Sequence, residues 1–501
     1  MFKLITKLRF KIIKTINIIG AGVGGLAAAI RLAAKGHAVQ VFEKNAYPGG
    51  KLAELRLGNY RFDKGPSLFT LPELVDELSA IAGKNNTGFA YKKLSEITRY
   101  FYEDGTNLTA FSEPEKFATE LSEKLGEDKV SVLKHIKKSE FYFTTIRGLF
   151  LEQSVLRFRD LFRFESLRGL FRAPRLHLFS NMNKQNARRF TKPKTVQLFN
   201  RYATYNGSDP YRAPALLNLI PHLELNLGAY LPEKGMHQIT EHLFGLAKNL
   251  GVRFYFDSPV EKITLTGNCV SGLMSRGHHH PSQIILSDMD MNAMYKKLLP
   301  EEYAPKKLLR QEKSSSAYVF YWGIKKEFAQ LGLHNILFSE NYKEEFRCLF
   351  EEDMPCFDPT IYINITSKHC AGDAPKACEN WFVMVNAPHN KSGEKIKYAE
   401  ALRKQVIEKI NRILKTDLET FIEVEETLDP FSIELQTSSV GGSLYGNASN
   451  SPYAAFLRHA NFSRKIKGLY LAGGSVHPGG GIPLCLLSAK IVSQLIEEKE
   501  K

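Results

Sequence analysis

The sequence predicts an α/β protein in which one nucleotide-binding unit is assembled from chain-distant pieces. Inserted α+β segments with a helical, membrane-facing part interrupt it. Three observations carry this expectation. Residues 15–51 read strand, glycine loop, Ala-rich helix, strand and acid, in that order. Residues 466–491 again join a strand, a Gly-rich loop and a helix. Between them strand-like runs alternate with helical stretches, and residues 113–201 are helical in pattern and polarised in charge. At 501 residues, 43% hydrophobic and 11% aromatic, the chain is long enough for a large core and too apolar for disorder.

Residues 16–19 form a short apolar run that fits a buried parallel strand. Gly20, Ala21, Gly22, Gly24 and Gly25 make the G-x-G-x-x-G loop, and residues 26–35 form the helix that Gly36 closes. Gly20 permits the tight turn, Gly22 lets a pyrophosphate approach the backbone, and Gly25 lets helix and strand pack closely. The helix N-terminus offers free N–H groups and partial positive charge to phosphates. Residues 38–42 are a second strand ending on Glu43, 18 residues past Gly25, where a carboxylate can accept from ribose hydroxyls. A glycine turn alone is common; the whole ordered set is what points to a dinucleotide.

The continuation Lys44-Asn45-Ala46-Tyr47-Pro48-Gly49-Gly50-Lys51 resembles the extended fingerprint of flavin-dependent amine oxidases and carotenoid desaturases. In those families a second glycine pair and a basic residue follow the acid, and the resemblance implies FAD in place of NAD. In Asp63-Lys64-Gly65-Pro66-Ser67 the Gly65-Pro66 pair fixes a turn. It resembles the FD-x-GPS segment that carotenoid desaturases hold near the flavin ring. Residues 72–82 read as a helix and 95–112 as strands. Residues 201–215, RYATYNGSDPYRAPA, closely resemble a stretch of bacterial phytoene and related carotenoid desaturases. The likeness continues through 230–236, although Lys234 stands where that family usually has glycine, and through the surroundings of 334–336, 358–360 and 386–388. It spans essentially the whole chain beyond the first residues.

Residues 251–256 and 259–263 give two further strands, and by resemblance Val260 offers its backbone to the adenine. Residues 283–288 resemble the family strand ending in "NAD"; Asp288 is equally placed to cap a helix from Met289 onward. Residues 469–471 form a strand, and a glycine loop feeds a helix over 482–495. By analogy Gly474, Ile482 and Pro483 contact FAD. The implied architecture is a discontinuous Rossmann-like FAD-binding domain (15–75, 226–310 and 426–501) after a basic leader (1–14). An inserted α+β substrate and membrane-associating domain covers 76–225 and 311–425.

The net charge of +15 raises the question of an anionic partner. No nucleic-acid-binding signature is present, so none is expected. Residues 1–14 set Lys3, Lys7, Lys11 and Lys14 at helical spacing opposite apolar residues and form a poor signal peptide; an ordinary basic leader is the alternative. From 141 to 201 there are 13 basic and 3 acidic residues, interleaved with Phe and Leu. That mixture suits a membrane surface, with a plain core helix bearing a solvated basic face as the alternative. No uncharged apolar run reaches the roughly 18 residues of a spanning helix. The expected location is cytoplasmic, peripheral to the inner face of the cell membrane. Six cysteines without C-x-x-C or metal spacing read as reduced thiols, and His278-His279-His280 as a polar loop, so no metal is expected.

The resemblance implies removal of two hydrogens from a C–C bond of an acyclic carotenoid. The segment GGSVHPGGGIPL leans it toward desaturation of C-3,4 at an end hydroxylated at C-1; phytoene is the alternative substrate. No catalytic base is identified. His222 and Glu224 are candidates, with a domain-junction ion pair as the competing reading. A flavin-free isoprenoid-binding escort and an amine oxidase are rivals, and the sequence sets no oligomeric state or electron acceptor.

Overall fold

β1 (Thr15–Ile19), the helix α1 (Val23–Ala33) and β2 (Ala38–Phe42) open the fold, with Ile16 paired to Val39 and Ile18 to Val41 in parallel. The computed structural model describes residues 13–84, 88–152, 176–177, 179–393, 398–451, 454 and 458–499. Three later strands complete a five-stranded parallel sheet. Its order is Leu469–Leu471, Ile284–Ser287, β1, β2, Arg253–Tyr255. Residues 23–32 are buried, as expected of a helix covered on several sides. α1 packs against both Ile482–Lys499 and His237–Asn249, and the small Ala27, Ala28 and Ala29 side chains permit that approach. A Cβ on Gly25 would overlap the Gly20 carbonyl oxygen, so glycine is what lets α1 lie against the loop.

The second large layer is a seven-stranded sheet. Its order is Ile422–Leu428, Ser316–Ile324, Glu379–Ala387, Ile361–Asn364, His334–Leu337, Glu96–Phe101, Asn107–Phe111. All neighbours are antiparallel except His334–Leu337 beside Glu96–Phe101. The strand Ser316–Ile324, second in that order, is buried throughout, and Phe320, Tyr321 and Trp322 are fully enclosed. Helices Pro114–Leu125, Lys129–Ile146, Met182–Arg189 and Pro193–Asn200 occupy much of the region read as helical.

Two local expectations change. The His278–280 stretch is an edge strand, His278–Pro281, paired antiparallel to Cys269–Ser275, and the His280 ring packs edge-on against Phe42 at 4.7 Å. Asp288 does not cap the helix that follows it. The cap of Met291–Lys297 is Asp290, which accepts from the Asn292 and Ala293 N–H groups at 2.9 and 3.2 Å. Most of the leader and the arginines at 157, 159, 163, 168, 172 and 175 lie outside the described residues. Among the described residues no helix is long and apolar enough to cross a membrane.

Candidate functional site

β1 runs into Gly20, which turns at φ +96°, a conformation that favours glycine. The chain reaches Gly22, the N-cap of α1, and the helix begins there, earlier than residue 26, so Gly24 and Gly25 form its first turn. Glu43, 6% exposed, closes β2. Its Oε2 accepts from the Ala21 N–H at 2.8 Å and its Oε1 from the Asn45 N–H at 2.9 Å, so the acid is locked to the glycine loop. The second glycine pair folds onto the first: the Gly49 N–H donates to the Ala21 carbonyl at 2.8 Å.

The two lysines of this stretch reach across to the last part of the chain. Lys44 Nζ donates to the Leu435 carbonyl (2.6 Å) and Ser438 Oγ (2.9 Å). Lys51 Nζ donates to the carbonyls of Leu444 (2.7 Å) and Ser443 (3.1 Å). Burial lowers Lys51 to about 8, against the pull of nearby Asp290, Cys485 and Asp288. A Cβ on Gly65 would overlap the Lys51 carbonyl oxygen, so the Gly65-Pro66-Ser67 turn sits directly on this stretch. Ser67 Oγ then bonds Tyr362 Oη at 2.6 Å.

These elements surround one cavity of about 780 Å3. Gly20, Gly22, Gly24, Glu43, Lys44, Gly50 and Lys51 line it from the first segment, Gly65, Pro66 and Ser67 from the second. Val260 lines it from the third, and Gly474, Ile482 and Pro483 from the C-terminal loop and helix. Ala21 and Gly25 do not line it: Ala21 acts through its N–H on Glu43, and Gly25 through helix packing.

Asp288 belongs here too, which the sequence did not reveal. Asp288 follows the strand Ile284–Ser287, which pairs with β1, and its half-buried carboxyl lines the cavity facing the Gly22 and Gly25 amides. A Cβ on Gly22 would stand 2.5 Å from its Oδ2. Burial raises Asp288 to about 7; Glu43 adds to the shift, whereas the two amides and Lys51 oppose it. The cradle is therefore closed to side chains and rich in backbone N–H groups, which fits a dinucleotide pyrophosphate.

Beyond the cradle the wall turns apolar, with Leu68, Leu71, Phe143, Ile146, Phe150, Leu151, Leu217, Ile220 and Ile336. Phe150 packs edge-on against His477 of the C-terminal loop at 4.7 Å. Polar side chains interrupt this wall, among them Arg201, Tyr205 and Glu224. Arg201 pairs with Glu224 at 3.1 Å, and Tyr202 donates to the same carboxylate at 2.7 Å, as does Tyr205. Glu224 is thus held in a buried ion pair, the structural reading of that residue. His222 bonds Asn226 at 2.7 Å and does not line the cavity. His334 and Tyr362 come from neighbouring strands of the large sheet, a meeting with no local sequence signal.

The family described as flavin containing amine oxidoreductase matches residues 23–312. A 1-hydroxycarotenoid 3,4-desaturase from Flavobacterium sp. (strain P99-3) is 49% identical over 96% of this chain and 98% of its own. A 4,4'-diapolycopene oxygenase from Methylomonas sp. is 33% identical over 96% and 97%. Among solved structures, cyclohexylamine oxidase from Brevibacterium oxydans IH-35A superimposes with TM-score 0.63 at 13% identity, covering 98% of this chain and all of its own, which speaks to the fold. With its glycine cradle, locked acid and near-complete match to these relatives, the chain belongs to the flavin-containing amine oxidoreductase family and is an FAD-dependent oxidoreductase.

Proposed function

We propose that this oxidoreductase is a carotenoid desaturase that removes two hydrogens from C-3,4 of an acyclic carotenoid end hydroxylated at C-1. The observation that carries the reading is the 49% identity to a 1-hydroxycarotenoid 3,4-desaturase across almost the whole of both chains. The cavity supports it, because its far wall is built of Leu, Ile and Phe and suits a polyene better than an amine. FAD, when bound, supplies the hydride acceptor for the C–C bond. Glu43 would hold its ribose hydroxyls, the N-terminus of α1 its pyrophosphate and the Val260 backbone its adenine. Gly65, Pro66 and Ser67 would border the ring, with Gly474, Ile482 and Pro483 closing the opposite side. We assign 15–75, 226–310 and 426–501 to cofactor binding and 76–225 and 311–425 to substrate and membrane.

Substrate would arrive from the inner face of the cell membrane. Phe143, Ile146, Phe150 and Leu151 form one wall of the cavity, and the chain continues from there into the basic, Phe-rich stretch 153–175. Product analysis tests the assignment, using purified protein, added FAD and liposomes loaded with phytoene or a 1-hydroxylated acyclic carotenoid. A longer-wavelength product from the hydroxylated substrate alone is expected. Product from phytoene alone would overturn the C-3,4 assignment, and no product with no bound flavin would favour an isoprenoid escort.

A further inference from the structure

His334 carries a buried donor that the protein leaves unused. The residue begins the strand His334–Leu337, is 3% exposed and lines the cavity. Its Nδ1 lies 2.7 Å from Tyr362 Oη and 3.1 Å from Asn364 Nδ2. That Asn364 nitrogen also donates to the Leu333 carbonyl at 3.0 Å, which identifies it as the amide NH2. An NH2 can only donate, so Nδ1 is the acceptor, and a neutral ring then carries its proton on Nε2. Burial keeps the ring neutral, with the basicity lowered to about 3. The Nε2 atom is buried and has no hydrogen-bond partner. An unused donor in such a place costs free energy unless a ligand takes it.

The surroundings specify that ligand. His334, Tyr362 and Ser67 form a continuous hydrogen-bonded string from the large sheet to the Gly65–Ser67 turn, all lining the same cavity. The string therefore stands where the apolar wall meets the glycine elements. A pure hydrocarbon offers no acceptor to an N–H there, whereas a tertiary alcohol does. We propose that His334 Nε2–H donates to the C-1 hydroxyl oxygen of the substrate and thereby selects a hydroxylated end, two bonds from the carbon to be desaturated. This rests on the desaturase reading given above. A site with a buried donor discriminates against the analogue lacking the oxygen because the donor is then left unpaired.

The test is a competition in liposomes between a 1-hydroxylated acyclic carotenoid and its 1-deoxy counterpart, with FAD-loaded wild type, His334→Leu and His334→Gln. Product ratios give relative kcat/KM, and equilibrium binding of each carotenoid and the flavin content are measured separately. Wild type should favour the hydroxylated carotenoid in both turnover and binding. His334→Leu should cut that preference by at least about tenfold while retaining flavin, and His334→Gln, which keeps an N–H at similar reach, should preserve most of it. An unchanged preference in His334→Leu overturns the assignment. If that variant does not fold, wild-type binding decides: equal affinity for the two carotenoids overturns it as well. Conversion of neither carotenoid by the wild type is instead the failure of the desaturase reading.

Discussion

Gly22 and Asp288 set the chemistry of the cradle at the level of single side chains. A Cβ on Gly22 would stand 2.5 Å from the Asp288 carboxyl, in the space through which a pyrophosphate must approach. Gly22→Val is therefore expected to abolish flavin retention, read from the absorbance of the purified protein; a yellow variant would contradict the site. Asp288 makes a pH prediction. Its carboxyl holds a proton up to about pH 7 in the native state, against roughly pH 4 for an ordinary aspartate. Between those values the native state binds more protons than the unfolded chain. The contribution is complete below about pH 4 and is lost as pH rises to 7, by up to about 1.4 kcal/mol per unit. Asp288→Asn removes the titration, so the flavin-free variant should melt above wild type at pH 8 by a margin that shrinks toward pH 5. A margin independent of pH would show that the carboxyl is not the group responsible.

The elements differ in how far the sequence alone revealed them, and the difference follows range. β1, the glycine loop, α1, β2 and Glu43 are neighbours in both chain and space, so their pattern could be read directly. The start of α1 moved from residue 26 to Val23 because Gly22 caps it and the glycines turn helically within its first turn. His278–280 escaped because an edge strand tolerates polar residues on its exposed side, and a histidine run carries no alternation. Asp288 looked like a cap because its true partners, the Gly22 and Gly25 amides, lie more than 260 positions earlier. His334 and Tyr362 meet only through sheet pairing. α1 itself is enclosed between two helices, with Ala28 fully buried. Ala28→Leu should overpack that contact and cost about 1–3 kcal/mol in denaturant unfolding; unchanged stability would mean the packing is looser than described.

For the whole molecule, residues of both large sheets and of neighbouring helices line one run of space that changes character from glycine and backbone N–H to Leu, Ile and Phe. That gradient is what a cofactor at one end and a polyene at the other require. The basic stretch beyond Leu151 is where membrane contact is proposed. Replacing Arg157, Arg159, Arg163 and Arg168 together by neutral residues should weaken sedimentation with anionic liposomes and flatten its salt dependence. Unaltered sedimentation would return the stretch to an ordinary solvated face. The most direct test of the account is anaerobic mixing of the FAD-loaded protein with a 1-hydroxylated acyclic carotenoid in liposomes, following flavin and polyene absorbance together. The account predicts bleaching of the oxidised flavin band in step with a longer-wavelength carotenoid band, one flavin for each new double bond. A flavin that stays oxidised in the presence of bound substrate would contradict it.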